Sequence, residues 1–450
     1  MKTVIAKTLY VRSFGCQMND YDSSRIADLL IDRYGLKRVA SPQEADIVVM
    51  VTCSIREKAH EKTFSDLGRL REMKKLHPGM LIAVGGCVAS LEGAGILTRA
   101  PWVDVVFGPQ TLHRLPDLLE ERLKTGKPQV DTSFPEIEKF DCLPKPCVQG
   151  ATAFCSIMEG CSHFCSYCIV PYTRGAEISR PVMDVLVECA QLADQGVKEI
   201  TLLGQNVNSY HGADGSGKER SLAYLLHKLA EIDGLKRIRY TTSYPADMTD
   251  ELINCHRDIP QLMPYLHLPV QSGSDKILKA MNRRHNRAQY LDIIEKLYAA
   301  NPALRMSSDF IVGFPGESDE DFEQTLDIVR RVGYIQAFSF KYSKRPGTPA
   351  ALMPEQVEEK IKRQRLDILQ ELLSGMQLKF NSECLGKTMP VLFEYKGRRA
   401  GQLVGRTPYM QNIHVEIGKE FLNQIVDIKV TEAATSSLSG ACTTLNNKAS

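Results

Sequence analysis

Three cysteines lie close together in the stretch MEGCSHFCSYCIVPYTRG, which runs from Met158 to Gly175. Cys161, Cys165 and Cys168 follow the pattern C-x3-C-x2-C, and thiols this dense in sequence are typical of a metal site. A structural zinc site needs four ligands in a closed tetrahedron, so three thiols leave one position unfilled. A cubic iron–sulfur cluster is usually held by four thiolates, and three would leave one iron open to an exchangeable ligand. An open metal position is typical of a catalytic site rather than a structural one.

Zinc is the alternative metal for this loop, because His163 or Cys155 would complete a closed tetrahedral site with the three thiols. The protein would then be a non-enzymatic, zinc-stabilised RNA-binding protein, purified colourless and with bound zinc. The loop alone leaves this choice open, so the elements around it have to be considered.

A second set of three cysteines is spread along the sequence. Cys16, Cys53 and Cys87 each directly follow a predicted strand, in YVRSFGC, VVMVTC and IAVGGC. The C-terminal ends of parallel strands share one edge of a sheet, so these thiols can converge without a local motif. One such cysteine would be an ordinary buried side chain. Three at equivalent strand ends predict a second cluster with three protein ligands and one open iron.

Length and composition narrow the class of protein. A chain of 450 residues predicts two or three domains, and 43% hydrophobic with 24% charged residues is typical of a globular protein. The net charge of +2 gives no overall attraction to nucleic acid, so a polyanion site has to be a local patch. An odd count of 13 cysteines, no signal-peptide pattern and no apolar stretch of membrane length predict a cytoplasmic protein with reduced thiols and no membrane contact.

The first part of the chain, residues 1–140, alternates short apolar runs with patterns of helical period. This alternation predicts a parallel sheet covered by helices. The expected strands are Thr8–Phe14, Asp46–Thr52, Met80–Gly85 and Val103–Phe107, and the expected helices are Tyr21–Tyr34 and Ile55–Leu76.

A linker with two prolines and a glycine, Asp141–Gly150, precedes a second alternating region over residues 145–380. Six strand–helix units there predict a full or partial β/α barrel, in which chemistry takes place at the C-terminal ends of the strands. The cysteine loop follows the first of these strands. The expected strands are Ala151–Met158, Glu199–Gly204, Arg237–Ser243, Pro264–Pro269, Arg305–Val312 and Ile335–Tyr342. The expected helices are Val182–Gln195, Leu222–Ile232, Arg287–Ala299, Asp319–Val332 and Pro354–Phe380.

The C-terminal region, residues 381–432, has short apolar runs between glycine-containing turns and predicts a small all-β module. The tail, residues 433–450, is rich in Ser, Thr, Ala and Asn and is expected to be disordered.

Tyr395 and Tyr409 offer surfaces on which bases could stack. A basic run with no acidic residue between Lys396 and His414 predicts a phosphate-binding patch. The residues of this patch are Lys396, Arg398, Arg399 and Arg406.

The cysteine loop, placed after the first strand of a β/α barrel, resembles the radical S-adenosylmethionine superfamily. The segments SFGCQMNDYDS, TCSIREKA and GGCVASLEG resemble the N-terminal domain of the methylthiotransferases, MEGCSHFCSYCIVPYTRG resembles their radical domain, and Gly386–Val430 resembles their RNA-binding TRAM module. The resemblance runs from about Thr8 to Val430. It implies an α/β fold class with an N-terminal parallel-sheet domain, a central partial (β/α)6 radical-SAM barrel and a C-terminal small all-β TRAM domain.

The resemblance also implies the cofactors. These are S-adenosylmethionine and two [4Fe-4S] clusters, a radical cluster on Cys161, Cys165 and Cys168 and an auxiliary cluster on Cys16, Cys53 and Cys87. The remaining candidate residues lie in the cysteine loop or near later strand ends, where side chains can contact S-adenosylmethionine. The candidates are Tyr167, Gly204, Gln205, Asn206, Ser243, Gln271 and Asp309. Each of these taken alone is also consistent with a purely structural role.

Within the family, TCSIREKA and LLGQNVNSYHG are most similar to the branch that modifies tRNA. The implied enzyme is a transferase that inserts a methylthio group at C2 of N6-isopentenyladenosine beside the anticodon. The alternatives are N6-threonylcarbamoyladenosine in tRNA or a ribosomal protein side chain. One departure is Ser243-Tyr244-Pro245, where a histidine is expected before the proline. The implied partners are tRNA, a flavodoxin or ferredoxin electron donor and the iron–sulfur assembly machinery, and we expect a monomer.

Overall fold

The computed structural model describes residues 6–53, 57–135, 138–148 and 150–443. This part of the chain forms three units: a six-stranded parallel sheet, an open barrel of six parallel strands with helices outside, and a closed five-stranded barrel. The predicted α/β fold class is therefore confirmed. None of the helices in these ranges is long and apolar enough to cross a membrane. All 13 cysteines lie in the described ranges, and none forms a disulfide.

The N-terminal sheet has the strand order β2-β1-β3-β4-β5-β6. Every residue of its central strands Ile47–Thr52 and Leu81–Gly86 is buried, as expected for strands covered by helices on both faces. The four predicted strands are confirmed within two residues, whereas two short edge strands were not predicted. The predicted helix Ile55–Leu76 is confirmed from Glu57, and residues 54–56 lie outside the described residues. The strands are β1 (Thr8–Ser13), β2 (Lys37–Arg38), β3 (Ile47–Thr52), β4 (Leu81–Gly86), β5 (Val105–Phe107) and β6 (Gln129–Asp131). The helices are α1 (Gln17–Tyr34), α2 (Glu57–Leu76), α3 (Cys87–Glu92), α4 (Gly95–Arg99), α5 (Leu115–Thr125) and α6 (Glu138–Asp141).

The central unit contains the six predicted barrel strands, so the partial (β/α)6 barrel is confirmed. They form two parallel sheets, β13-β10-β7 and β14-β15-β16, which are joined by a bridge between Ile238 and Leu262. Two small hairpins, β8/β9 and β11/β12, were not predicted. The strands are β7 (Thr152–Ser156), β8 (Met158–Glu159), β9 (Ile178–Ser179), β10 (Glu199–Leu203), β11 (His211–Ala213), β12 (Glu219–Ser221), β13 (Arg237–Tyr240), β14 (Tyr265–His267), β15 (Arg305–Val312) and β16 (Gln336–Lys341). The helices are α7 (Val170–Arg174), α8 (Val182–Asp194), α9 (Leu222–Ala230), α10 (Asp250–Asp258), α11 (Asp275–Ala280), α12 (Arg287–Ala300), α13 (Asp319–Val332) and α14 (Glu359–Glu383).

The last helix of this unit begins later than the sequence predicted. The prediction placed its start at Pro354, but α14 begins at Glu359 and continues to Glu383. The carbonyl of Glu355 accepts a hydrogen bond from the Gly316 amide (2.7 Å), so this segment follows the barrel instead of joining the helix.

The C-terminal unit is a closed barrel in the order β17-β18-β19-β21-β20. The prediction of a disordered tail from Ala433 is wrong for residues up to 443. Strand β21 pairs with both β19 and β20, and its Leu438 is buried in the core, so these residues close the barrel. Residues 444–450 lie outside the described part of the chain. The strands are β17 (Thr388–Lys396), β18 (Gln402–Arg406), β19 (Asn412–Glu416), β20 (Ile425–Ala433) and β21 (Leu438–Cys442).

The C-terminal barrel covers the N-terminal ends of the central strands. Arg237, at the start of β13, donates hydrogen bonds to the carbonyls of Pro390 (2.6 Å) and Arg406 (3.1 Å). Arg239 donates to the carbonyl of Pro408 (2.8 Å), and both arginines pair with Glu199. This contact closes one end of the central barrel and leaves the C-terminal strand ends for chemistry.

Candidate metal centre

The cysteine loop, residues 160–169, depends on a glycine at its start. Gly160 has a φ of 77°, and a Cβ there would lie 1.9 Å from the carbonyl oxygen of Ala176. Its amide donates to Gln205 Oε1 (2.6 Å), which connects the loop to the end of β10. Cys161 donates its amide hydrogen to the Gly175 carbonyl (3.3 Å). These two hydrogen bonds hold the start of the loop in place.

The far side of the loop is bound to the segment after α11. Asn282 Nδ2 donates to the carbonyls of His163 (3.3 Å) and Phe164 (2.9 Å), and Phe164 takes a left-handed conformation with φ of 48°. The Ser166 amide donates to the Met281 carbonyl (3.0 Å). These contacts hold the backbone on both sides of Cys165.

The three thiols of this loop, Cys161, Cys165 and Cys168, form the loop triad. Burial, together with the neighbouring thiols, raises the pKa of Cys161 to about 11 and that of Cys168 to about 12. Arg283 Nη1 lies 3.7 Å from Cys165 Sγ. Metal ligation needs thiolates, so these buried thiols ionise readily only when a metal compensates their charge. Soft thiolate donors fit an iron–sulfur cluster.

The two candidates for a fourth zinc ligand, His163 and Cys155, both have other partners. His163 Nε2 lies 2.7 Å from Asp247 Oδ2, so a carboxylate already engages this ring nitrogen. Cys155 lies in the barrel core, where its thiol interacts with that of Cys189. Among the described residues, no three His, Cys, Asp or Glu side chains are arranged to hold a single metal ion. The thiolates of a cubic cluster bind separate irons and therefore stand farther apart than ligands of one ion.

Three predicted cofactor residues at the ends of β10 and β13 carry buried polar atoms without a partner. They are the Gln205 Nε2, Asn206 Oδ1 and Ser243 Oγ atoms. Asn206 is oriented through its Nδ2, which lies 2.7 Å from Asp247 Oδ2 and 2.9 Å from His163 Nε2. Buried polar atoms are normally paired, so unpaired atoms beside the cysteine loop fit a polar ligand such as S-adenosylmethionine.

The other predicted cofactor residues have different surroundings. Tyr167 meets the ring of Phe314 edge-on, with centroids 6.5 Å apart. Gln271 is held at a φ of 74° by backbone hydrogen bonds to Asp309 and Ile311, both 3.0 Å. Asp309 Oδ2 lies 3.6 Å from His267 Nε2. Gly204 is required for packing, because a Cβ there would lie 2.4 Å from Met158 Cγ.

Tyr244 and Arg283 are neighbours of the loop that were not predicted as functional. Tyr244 occupies the position where a histidine was expected, and its ring stacks on that of His163 with centroids 3.9 Å apart. The Arg283 guanidinium lies 4.1 Å from the Tyr244 ring centroid. The unexpected tyrosine before Pro245 was the only signal of this contact in the sequence.

The second set of thiols, Cys16, Cys53 and Cys87, forms the sheet-edge triad. Its members follow β1, β3 and β4 at one edge of the sheet, as predicted. Gly15, with a φ of 102°, allows the close approach, since a Cβ there would lie 2.3 Å from Cys53 Cβ. A hydrogen bond with the Cys53 thiol raises the pKa of Cys16, and burial raises that of Cys87. Three cysteines converge here, of which Cys53 and Cys87 are buried and Cys16 is half-buried, and their chemistry fits an iron–sulfur cluster.

A single short helix connects the two triads. Helix α7 begins two residues after Cys168 and ends at Arg174, whose positive charge partly offsets the rise that burial causes in the pKa of the Cys87 thiol. Helix α3, which begins with Cys87, packs against α7. The two triads therefore lie on either side of the contact between the N-terminal unit and the barrel.

The predicted phosphate patch is only partly on the surface. Lys396, Arg398 and Arg399 are exposed and border a cavity of about 660 Å³ with the half-exposed Tyr395. Arg406 is half-buried: its Nε lies 3.2 Å from Glu394 and its carbonyl accepts a hydrogen bond from Arg237, so its place in the patch stays a prediction.

Tyr409, the second predicted stacking surface, is partly buried. Its ring meets that of Phe380 edge-on with centroids 5.3 Å apart and packs against the core of the C-terminal unit, so the predicted stacking role stays a prediction.

Comparison with known proteins supports all three units. Residues 8–108 match the family model "Uncharacterized protein family UPF0004", residues 155–329 match "Radical SAM superfamily", and residues 382–442 match "TRAM domain". A tRNA-2-methylthio-N(6)-dimethylallyladenosine synthase of Haemophilus influenzae (strain PittGG) is 52% identical over 97% of this chain and 92% of its own length. The chain belongs to this synthase family. A synthase of the same name from Bordetella petrii is also 52% identical, over 96% of this chain and 91% of its own.

Solved structures support the fold alone. A radical S-adenosylmethionine methyltransferase from Kitasatospora setae, TsrM, has a TM-score of 0.56 at 11% identity and covers 86% of this chain and 78% of its own. The cobalamin-dependent radical enzyme OxsB has a TM-score of 0.53 at 13% identity, over 82% and 56%. This chain, as a member of the synthase family, is a radical S-adenosylmethionine methylthiotransferase. Enzymes of this kind use S-adenosylmethionine and [4Fe-4S] clusters.

Proposed function

We propose that this protein transfers a methylthio group to C2 of an N6-isopentenylated adenosine beside the anticodon of a tRNA. The observation that carries the proposal is the pair of cysteine triads on either side of α7, one at the barrel and one at the sheet edge. The relatives named for this product, matched over nearly the whole chain, support the choice of substrate.

The loop triad would hold the radical cluster and the sheet-edge triad the auxiliary cluster. When bound, the radical cluster and S-adenosylmethionine together supply a radical that can remove hydrogen from an unactivated C–H bond. Gln205, Asn206 and Ser243 would orient S-adenosylmethionine through their unpaired polar atoms, and Tyr167 would pack beside it. Gln271, Asp309 and the backbone at Gly204 would line the same strand ends.

Substrate binding would involve the exposed basic residues of the C-terminal unit. Lys396, Arg398 and Arg399 lie exposed on the β17–β18 hairpin, which fits contacts to phosphates. The target base would have to leave its stack to reach the strand ends of the barrel. A flavodoxin or ferredoxin would supply electrons, iron–sulfur assembly proteins would load the clusters, and the enzyme would act as a monomer.

Nucleoside analysis tests this proposal. A strain that lacks the gene is expected to accumulate N6-isopentenyladenosine in tRNA, and the full-length chain should restore the 2-methylthio form. Cys255→Ala, at a buried cysteine outside both triads, serves as the matched control and should also restore it. The substrate assignment would be overturned if the level of N6-isopentenyladenosine in the deletion strain equalled that of the parent strain while methylthiolation of threonylcarbamoyladenosine or of a ribosomal protein was lost. The assigned chemistry would then still hold.

A further inference from the structure

Four buried ionic side chains meet at the contact between the N-terminal unit and the barrel. They are Asp22 of α1, Lys139 of α6, Glu159 of β8 and Arg174 of α7, and each side chain is at most 3% exposed. Lys139 Nζ lies 3.0 Å from Asp22 Oδ1 and also pairs with Glu159. Two cations and two anions balance each other here, as buried charges require.

Arg174 contacts three side chains of this network and its surroundings: Asp22, Glu159 and Asn19. Its Nη2 lies 2.8 Å from Asp22 Oδ2, and its Nη1 lies 3.4 Å from Glu159 Oε1. Its Nη2 also lies 3.4 Å from Oδ1 of Asn19, and the backbone amide of Asn19 donates to the Cys16 carbonyl. Helix α3, which begins with Cys87, packs against the helix that ends at Arg174, so this guanidinium lies between two fixed carboxylates and the sheet-edge triad.

We propose that Arg174 is a positioning residue of the auxiliary cluster, where its guanidinium stabilises the negative charge of the Cys87 thiolate and of the bound cluster. This inference rests on the proposed assignment of that cluster to the sheet-edge triad. The planar fork of an arginine can serve both carboxylates and the thiolate at once, which a lysine ammonium cannot. Hydrogen bonds and charges beside cluster sulfurs set the reduction potential, and a cation favours the more negative reduced form.

Arg174 also links the two sites mechanically. Arg174 is the last residue of the five-residue helix that begins just after Cys168, so the guanidinium beside the sheet-edge triad belongs to the segment that continues from the loop triad. Asp22 of α1 holds that helix against the N-terminal unit through its ion pair with Arg174.

The test uses the full chain with Cys161, Cys165 and Cys168 replaced by alanine, so that only the auxiliary cluster is titrated. The midpoint potential of that cluster is measured anaerobically by electron paramagnetic resonance for Arg174→Gln, Arg174→Lys and Arg174→Gln with Glu159→Gln. The double change keeps the buried charges balanced, which separates loss of the guanidinium from misfolding. Arg365→Gln is the matched control, because it breaks a buried pair with Glu317 (2.8 Å) elsewhere in the barrel.

We expect a more negative potential for Arg174→Gln and for the double variant, a smaller shift for Arg174→Lys, and none for Arg365→Gln. Retention of the cluster in Arg174→Lys but its loss in both Gln variants would also support the inference. Wild-type potentials in every variant would overturn it, as would loss of the cluster in all three Arg174 variants. Absence of iron before Arg174 is changed would instead show that the ligand assignment itself is wrong.

Discussion

The loop triad and the sheet-edge triad each present three thiols, but the chain assembles the two sets in different ways. In the loop triad, one segment of eight residues supplies every ligand, and Gly160 and Asn282 fix its backbone. In the sheet-edge triad, three separate strands supply one ligand each, and Gly15 allows two of them to touch. The loop triad is therefore a local motif, whereas the sheet-edge triad exists only once the sheet has formed. The following predictions test whether the two sites have separate roles.

The largest effect is expected for Cys165→Ala. Because Cys165 belongs to the loop triad and contacts Arg283, its loss should abolish both cleavage of S-adenosylmethionine and methylthiolation. Cleavage is measured as 5′-deoxyadenosine formed under anaerobic reduction. Normal cleavage in this variant, with Cys255→Ala as the active control, would show that the loop triad does not hold the radical cluster.

Cys53→Ala should separate the two activities. The loop triad stays intact, so cleavage of S-adenosylmethionine should continue while methylthiolated tRNA disappears and iron falls by about four per chain. Both products are quantified by mass spectrometry from one reaction. If cleavage is lost together with thiolation, the two triads do not act separately.

Intermediate effects are expected from the two glycines that shape the sites. Gly15→Ala should lower iron at the sheet-edge triad alone, because the new Cβ collides with Cys53, and Gly160→Ala should lower iron at the loop triad alone. Each change also adds left-handed strain of roughly 1–2 kcal/mol. Gly126→Ala, with a φ of 69° and open space around it, controls for that strain. Equal loss of iron in all three variants would mean that strain, not collision, is responsible.

The smallest effect is expected from Arg398→Ala combined with Arg399→Ala, which spares both triads. The KM for tRNA should rise without a change in kcat, and the slope of log affinity against log salt should fall by about one to two. Filter binding over a salt series measures the slope. Arg363→Ala, at an exposed arginine of α14, should behave like the wild type, and an unchanged slope in the double variant would place RNA contacts elsewhere.

The sequence predicted those features that depend on local pattern. The spacing of the loop triad, the six barrel strands and the strand ends that carry Cys16, Cys53 and Cys87 all follow from short segments. Strand β21 was missed because its composition is that of a disordered tail, and it is stabilised by pairing with β19 and β20.

Contacts between distant segments were also beyond reach of the sequence. Arg174 and Asp22 are 152 residues apart, and nothing in either segment indicates the other. Arg406 was assigned to a surface patch because no acidic residue lies between Lys396 and His414, yet Glu394, just before that run, pairs with it across the β17–β18 hairpin.

The most direct test of two separate cysteine sites is the iron, sulfide and zinc content of anaerobically purified protein, together with its absorption spectrum. About eight irons per chain are predicted, falling to about four when the loop triad is changed to alanine and to about four when the sheet-edge triad is changed. About four irons in the wild type would mean that the sheet-edge triad holds no cluster. Zinc without iron would contradict the radical mechanism.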